Sequence, residues 1–451
     1  MPDLGTNAVA EQSSDRLARR LSPEELSILS LESETVAGHA CKVMVLADRI
    51  DPLRLRETIG ERLARAPELS MRLGEVEGVP CWTPDPDFDL AAQVVAHDAG
   101  EAPDGPGLRA AVAHLFEQRL DRSRPLWRMD VIPELAGGGS AVIWRIHHAL
   151  ADGWTAMRMA SAVLWQEQPE GGPPSDRSRR RGRRRRATGA AGPEGAAGAE
   201  GGSILFAAAR EVPQPWHPSP FDGRICAQRS VAFASVELDG LRRVSGTVDG
   251  ATVNDAVLTV VAGGLRRWLE AHHGHLGPIR VKVPVSLHDM PSADGPGGAE
   301  PGNRDSFFCL DLPLDSAEPV TRLATIRRAT RARKRGHDAQ HVDALMRELG
   351  HASPRLRRFA EHVLGHPRSF ALNVSNVPGP PRPVHVVGIP VRSLHTLAEI
   401  GERHALRIAV VSFAETLNFG LCADPTVVHD VDQMAAHMQA EAAALVSYGG
   451  A

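Results

Sequence analysis

Several common features are scarce or absent in this 451-residue chain. Lysine occurs only at Lys42, Lys282 and Lys334, so arginine carries nearly all the positive charge, and the net charge of −4 does not indicate a nucleic-acid partner. The five cysteines are scattered without CxxC spacing, which indicates a reduced, cytosolic setting. The first residues are polar, and no apolar run reaches the roughly 18 residues of a membrane span, so we expect neither a secretory signal nor a transmembrane helix.

Familiar catalytic motifs are missing as well. The chain has no P-loop, no GxGxxG after a strand, no HExxH and no GxSxG elbow, which argues against nucleotide-binding enzymes, zinc proteases and serine hydrolases. We therefore expect no cofactor and no metal site. His272, His273 and His275 surround Gly274 at a helix end, and this pattern favours exposed loop histidines over metal ligands.

The length and composition predict two domains of alternating α and β structure, because one core rarely supports so long a chain. A segment rich in Pro, Gly, Ala and Ser, with an arginine run at 177–186, separates them. We interpret it as a solvated, disordered linker, with binding of anionic lipid, nucleic acid or CoA phosphates as the alternatives. The predicted divisions are a disordered tail (1–20), an N-terminal domain (21–168), the linker (169–202) and a C-terminal domain (203–451).

Local patterns predict individual elements. Ser22 and Pro23 are typical of a helix start, and Thr252 is a plausible N-cap. The predicted helices are 52–66, 108–120, 251–269 and a long basic region at 315–348. The predicted strands are 41–47, 127–132, 279–285, 370–374, 384–390, 406–413 and 418–423, with a hairpin at 71–82.

The stretch 141–166 is the strongest functional signal. A nearly continuous apolar strand ends at His147 and His148, and the turn dipeptide Asp152-Gly153 then opens an amphipathic helix. This arrangement holds an imidazole at the mouth between two elements, where a neutral ring can act as a general base. Asp152 can orient that ring or lock the loop by accepting main-chain N–H groups. A base without an accompanying nucleophile indicates direct transfer between two bound substrates.

These residues match a known signature. His147 to Gly153 resembles the HHxxxDG motif of the CoA-dependent acyltransferase and condensation-domain superfamily. Further segments, in the same order, resemble the bacterial wax ester synthase/diacylglycerol acyltransferase family. They are Leu21-Ser22-Pro23, Pro125-Leu126-Trp127, Asn254-Asp255, Pro284 to Leu287, Gly302-Asn303 with Leu312-Pro313, Asn376 to Pro380, and Asn418 to Leu421 with Ala423-Asp424.

The resemblance implies an α/β fold of two chloramphenicol-acetyltransferase-like domains with the active site in a tunnel between them. It also implies that His148 deprotonates an acceptor hydroxyl, which attacks an acyl-CoA thioester with no covalent enzyme intermediate. His147, Asp152 and Gly153 would support the catalytic loop. Asn254 would stabilise the oxyanion.

Other motif positions are expected to bind substrate or support the site. Pro125, Leu126 and Trp127 are expected to buttress it. For Asn254 and Asp255 the alternative is a helix turn that satisfies its own main chain, and for Asn376 to Pro380 it is a rigid strand-exit turn. The substrate-binding or supporting set taken from this comparison also includes Pro378 and Gly379.

The implied partners are acyl-CoA and a diacylglycerol or long-chain alcohol, in a cytoplasmic protein with peripheral contact to a membrane or lipid inclusion. Three departures from the family pattern bear on the acceptor: Gly38 to Cys41, His288, and Phe413 to Glu415. Those at Glu415 and at Gly38 to Cys41 favour, as an alternative, the same chemistry on another acceptor, such as a natural-product hydroxyl or amine. A non-catalytic lipid-binding protein and a nucleic-acid binder are the weaker alternatives.

Overall fold

The computed structural model describes residues 18–98, 101–167, 219–274, 277, 279–286 and 305–448. Within them the chain folds into two large sheets and one small sheet, each large sheet covered by helices. The strands are β1 (Arg19–Arg20), β2 (His39–Leu46), β3 (Met71–Val76), β4 (Val79–Pro84), β5 (Val94–Ala96), β6 (Trp127–Ile132), β7 (Ser140–His147), β8 (Trp165–Glu167), β9 (Ser230–Glu237), β10 (Ile279–Ser286), β11 (Asp305–Leu312), β12 (Leu372–Val377), β13 (Val384–Val386), β14 (Ile389–Ala398), β15 (Leu406–Phe413) and β16 (Thr416–Ala423). The α-helices are α1 (Pro23–Ser30), α2 (Pro52–Arg62), α3 (Leu90–Gln93), α4 (Gly105–Glu117), α5 (Gly153–Val163), α6 (Leu238–Thr247), α7 (Val253–His273), α8 (Pro319–Arg335), α9 (Asp338–Ala352), α10 (Pro354–Leu364) and α11 (Val431–Tyr448).

The first large sheet has the strand order β5-β6-β7-β2-β14-β13-β8. Its two faces are both buried, as expected of apolar central strands. Cys41 and Ile143 lie in one core with Phe116 of α4, whereas Trp144 lies in the other core with Met159 of α5. β7 is therefore enclosed on every side, and its end is held rigidly.

The second large sheet has the order β11-β10-β12-β15-β16-β9. β12 is parallel to both of its neighbours, β10 and β15, and the other pairs are antiparallel. The helices α7 and α11 contribute Val260, Leu265, Met438 and Leu445 to the core beneath it. The predicted α/β class is confirmed.

A hairpin from the second half of the chain completes the first sheet. β13 pairs with β8, and β14 pairs with β2 from Ala398 opposite Ala40 to Val391 opposite Leu46. The single strand predicted at 384–390 is wrong, because Val387 and Gly388 have φ of 52° and 77° and form a tight turn between two strands. A Cβ atom on Gly420 of β16 would collide with the carbonyl of Thr396, so the two large sheets meet at β14.

Helix starts were predicted well from the sequence, because caps are local. Ser22 and Thr252 each form a capping box. The continuous helical region predicted at 315–348 is wrong: α8 and α9 are separated by His337, whose φ is 50°.

The predicted disordered tail extends too far, since Arg19–Arg20 form β1 and Arg19 binds the buried carboxylate of Glu25 at 2.7 Å. Residues 1–17 of that tail and the whole predicted linker (169–202) lie outside the described residues. The limits of the two domains stay a prediction.

Candidate active site

Strand β7 carries the two histidines at its carboxyl end. All eight of its residues are buried. It lies between β2 and β6, with His147 opposite His39 and Ile146 opposite Trp127. The main-chain N–H of His147 donates to the carbonyl of Leu126 at 2.9 Å. The loop that follows therefore leaves the sheet from a fixed point.

Both ring nitrogens of His147 are engaged inside the protein. The N–H of Ala149 donates to Nδ1 at 3.0 Å, and Nε2 lies 2.9 Å from Oε1 of Glu32. Because Nδ1 accepts, the proton of the neutral ring is on Nε2 and is donated to Glu32. Burial raises the pKa of Glu32, but its contacts with His147 and Arg122 outweigh burial and lower the pKa overall. His147 thus fastens the loop and is not placed to take a proton from a substrate.

Gly38 is needed for this arrangement. Its φ is +72°, and a Cβ atom there would lie 2.7 Å from Nε2 of His147 and 2.9 Å from Cγ of Glu32. Its carbonyl accepts the main-chain N–H of His148 at 3.0 Å. Gly38, the first residue of the segment 38–41 that departs from the family pattern, therefore positions both histidines.

His148 is half-buried and sits among charged groups. Burial, followed by the guanidinium of Arg407, lowers the pKa of His148 to about 3. His147 and Lys42 act in the same direction, whereas the carboxylate of Asp152 raises the pKa. The ring is therefore neutral at pH 7 and able to accept a proton. Asp152 is a nearby group that favours the imidazolium once the proton has moved.

Asp152 and Gly153 begin helix α5. The Oδ1 atom of Asp152 accepts the N–H of Thr155 at 2.7 Å, so this buried carboxylate is the N-cap. A Cβ atom on Gly153 would lie 2.6 Å from Cγ2 of Val377 in β12. The helix start and a strand of the second half thus approach as closely as only glycine permits.

Two predicted asparagines contact each other in the second half. Nδ2 of Asn376 lies 3.4 Å from Oδ1 of Asn254, in the first turn of α7. This contact occupies the side-chain oxygen of Asn254, so the hydrogen-bond donor of its side chain is the NH2 group. Since Val377 contacts Gly153 and Asn376 contacts Asn254, β12 connects the HHxxxDG loop to the Asn-Asp motif.

Asp255 has a structural role. Its Oδ2 accepts the N–H of Thr252 at 2.7 Å and the hydroxyl of the same residue at 2.8 Å. Its Oδ1 accepts the hydroxyl of Thr330 at 2.6 Å. One carboxylate oxygen therefore caps the start of α7 and the other binds α8.

The segment after β12 forms a tight exit. The N–H of Gly379 donates to Oγ of Ser412 at 3.1 Å, and a Cβ atom at Gly379 would collide with the carbonyl of Ser412. The carbonyl of Pro380 accepts the N–H of Ala414 at 2.9 Å. Together with Pro378, these residues hold the end of β12 against β15.

The Pro125-Leu126-Trp127 segment lies in the core next to the strand end. Leu126 and Trp127 are buried, and Nε1 of Trp127 donates to the carbonyl of Leu69 at 2.7 Å. The amide of Gln93 donates to the carbonyl of Pro125 at 3.0 Å. These contacts hold the main chain that in turn binds His147.

Sequence reasoning missed a buried lysine beneath the loop. Lys42 of β2 is 2% exposed, and Nζ donates to Oγ1 of Thr396 at 2.6 Å. Burial lowers its pKa to about 8, and Asp152 opposes that change. Lys42 and His148 thus share the electrostatic influence of Asp152. A lone lysine within an apolar strand gave no signal of this.

An ion pair between the halves was also missed. Nε of the buried Arg229 lies 2.9 Å from Oε1 of Glu399 at the end of β14, and a further guanidinium nitrogen donates to the carbonyl of Thr35. The other oxygen of Glu399 accepts the N–H of Ala37 at 3.2 Å. The segment that leads to Gly38 is therefore tied to the second half of the chain. No spacing in the sequence could connect residues so distant.

Other predicted features lie away from the histidine loop. Glu415 is exposed in the turn between β15 and β16, and His288 lies outside the described residues. His272 stacks on Trp268 with ring centroids 4.5 Å apart, and His275 is again outside the described residues. Where the structure is described, no group of His, Cys, Asp or Glu is arranged to hold a metal ion. No helix of that part is long and apolar enough to cross a membrane.

The fold matches solved acyltransferases and condensation domains. The wax ester synthase/diacylglycerol acyltransferase from Marinobacter aquaeolei superposes with a TM-score of 0.69 at 22% identity, covering 96% of this chain and 100% of that one. The first condensation domain of the CDA synthetase gives 0.59 at 18% identity, covering 95% and 96%. At such low identity these structures define the fold: a pair of linked α/β halves in which β14 bridges the sheets.

Family models identify the chain more narrowly. The wax ester synthase/diacylglycerol acyltransferase catalytic domain matches residues 21–257, and the WS/DGAT C-terminal domain matches 301–445. The protein belongs to this family, as the motifs predicted. The probable diacylglycerol O-acyltransferase tgs1 of Mycobacterium tuberculosis is 29% identical over 389 residues, 82% of each chain. A second M. tuberculosis protein named for the same activity is 30% identical over 452 residues, covering 91% of this chain and 93% of the relative.

Proposed function

We propose that the protein transfers a long-chain acyl group from acyl-CoA to the hydroxyl of a diacylglycerol or a long-chain alcohol, with His148 as the general base. The observation that carries the proposal is the state of His148: a neutral ring, held at a fixed strand end beside a carboxylate that favours its protonated form. Membership of the family supplies the substrate class.

The reaction follows from these groups. His148 takes the proton of the acceptor hydroxyl as the oxygen attacks the thioester carbonyl, and the NH2 group of Asn254 stabilises the oxyanion. The C–S bond then breaks, and His148 returns its proton to the departing CoA thiolate. The acyl carbon passes directly to the acceptor, so no acyl-enzyme forms. Asp152 stabilises the imidazolium that exists between the two proton transfers.

The remaining motif residues have positioning roles in this proposal. His147 and Gly153 hold the loop from the two sides, and Asn376 orients Asn254. Pro125 to Trp127 fix the strand end, whereas Asp255, Pro378 and Gly379 fix the second half. The two domains, 21–168 and 203–451, would enclose the acyl chain in a tunnel, and the acceptor would be drawn from a membrane or lipid-inclusion surface on the cytoplasmic side.

The position of Glu415 is consistent with a diacylglycerol or long-chain alcohol as the acceptor. This departure from the family pattern lies exposed in a turn, so its charge is directed to solvent and does not favour a polar acceptor.

The test is thiol release from palmitoyl-CoA with hexadecanol, with diacylglycerol and with neither. Acceptor-dependent release that is lost in His148→Ala and retained in His114→Ala, an exposed histidine on α4, supports the proposal. Release that does not depend on either acceptor, or that survives in His148→Ala, would contradict it.

A further inference from the structure

Helix α10 presents apolar side chains to solvent. Leu356, Phe359, Ala360 and Val363 recur at helical spacing and share one face. Leu356 is 52% exposed and Phe359 is 68% exposed, the largest value among the large apolar side chains of the described residues. Scattered single apolar residues are ordinary on a surface, but two on successive turns of one helix form a patch.

The chain segment that contains this patch is rich in basic residues. Residues 319–364, which contain α8, α9 and α10, carry eleven Lys and Arg against four Asp and Glu, although the whole chain has a net charge of −4. Arg355, next to the apolar pair, is exposed, and so are Arg331 and Arg335 of α8. An apolar face within a basic segment is complementary to an anionic lipid surface.

We propose that α10 docks the protein on an anionic membrane or lipid-inclusion surface, with Leu356 and Phe359 entering the interface and Arg355 binding headgroups. This inference rests on the proposed function, because docking serves the reaction only if the acceptor is lipid-soluble. Its test, vesicle binding, does not depend on acyl transfer. Residues 365–371 connect α10 to β12, a strand of roughly 20 Å whose far end carries Asn376. Docking at α10 therefore anchors the helix that precedes this strand in the chain.

The experiment is co-sedimentation of the full-length protein with vesicles of phosphatidylcholine alone and of phosphatidylcholine with phosphatidylglycerol. The wild type should bind the anionic vesicles, and added salt should weaken the binding. Leu356→Ser/Phe359→Ser should reduce partitioning by at least about tenfold, because two half-exposed apolar side chains no longer enter the interface. Arg355→Glu should reduce the preference for phosphatidylglycerol.

The matched controls are Leu53→Ser and Arg54→Glu on α2, which change an exposed leucine and an exposed arginine elsewhere. Both should bind as the wild type does. Equal vesicle binding by the wild type and the α10 variants would overturn the proposal, as would absence of binding by the wild type. If size-exclusion chromatography shows a wild-type oligomer that the double serine variant dissolves, a second copy covers α10 and lipid docking is wrong.

Acyl transfer to a short, water-soluble alcohol separates this proposal from the proposed function. Variants of α10 should keep that activity while losing vesicle binding. Vesicle binding without thiol release in the wild type would leave docking intact and contradict the catalytic proposal.

Discussion

Lys42 offers a test of how the candidate site is built, through the substitution Lys42→Met. The side chain is 2% exposed and its ammonium binds Thr396. Burial lowers its pKa from 10.5 to about 8, so the folded protein holds a charge that its surroundings disfavour. Methionine has a similar length and no charge.

The magnitude follows from the two pKa values. Below pH 8 the lysine is charged in both the folded and unfolded states, and the folded state carries a penalty of about 3 kcal/mol. Between pH 8 and 10.5 the unfolded state binds more protons, so the stability of the wild type rises with pH by this amount. The free energy of unfolding of the wild type minus that of the variant should therefore increase by about 3 kcal/mol across this window. The lost hydrogen bond to Thr396 shifts the difference by a constant and does not alter its slope.

Urea denaturation at a series of pH values measures this difference. Lys334→Met is the matched control, because Lys334 is exposed on α8, and its difference should stay flat. A flat difference for Lys42→Met would refute the reasoning, since it would mean that the buried ammonium carries no net penalty. Activity supplies a second readout: Lys42 lowers the pKa of His148, so its removal should move the acid limb of the kcat/KM profile to higher pH.

Three further changes probe the site. Glu32→Ala leaves the buried Nε2–H of His147 without its acceptor and should destabilise the fold by about 1–3 kcal/mol, measured by urea denaturation; an unchanged midpoint would contradict that role. Gly38→Ala places a Cβ atom against the same ring at positive φ and should cost at least about 1 kcal/mol in the same assay. Asn254→Ala should lower kcat by about 10²–10³ with little change in KM; a change confined to KM would argue against oxyanion stabilisation.

The lowered pKa of His148 predicts how the rate depends on pH. Because its pKa is lowered to about 3, the base stays unprotonated as the pH falls through 6.5, the usual value for histidine. The acid limb of kcat/KM should therefore lie well below pH 6.5. An acid limb at the usual histidine value would contradict this prediction, because kcat/KM reports the protonation of the free enzyme.

Local chemistry could be predicted from the sequence. The caps Ser22, Asp152 and Thr252 each act within three residues, and the strand that ends at His147 is apolar throughout. The family and the fold class were also predictable, because the HHxxxDG segment and its companion motifs are contiguous and ordered. The roles of the motif residues in the reaction stay predictions until the variants are assayed.

Long-range contacts could not be predicted in the same way. Glu32 binds His147 and Glu399 binds Arg229 across large separations, and neither glutamate belongs to a recognisable spacing pattern. The pairing of β14 with β2 was equally hidden, since an apolar strand pattern does not specify its partner. The charge on Lys42 contradicted the strand pattern locally, and only the surrounding fold explains how it is accommodated.

The bridging strand β14 has a consequence for how the protein is made. While the ribosome is still producing the first half, β2 has β7 on one side and an open edge on the other, because its partner ends only at Ala398. An unpaired central edge invites association with other chains. The first sheet is therefore completed late in synthesis, and the nascent N-terminal half keeps an open edge on β2 until then. The same strand means that cutting the chain between the halves would leave two fragments still joined through a shared sheet.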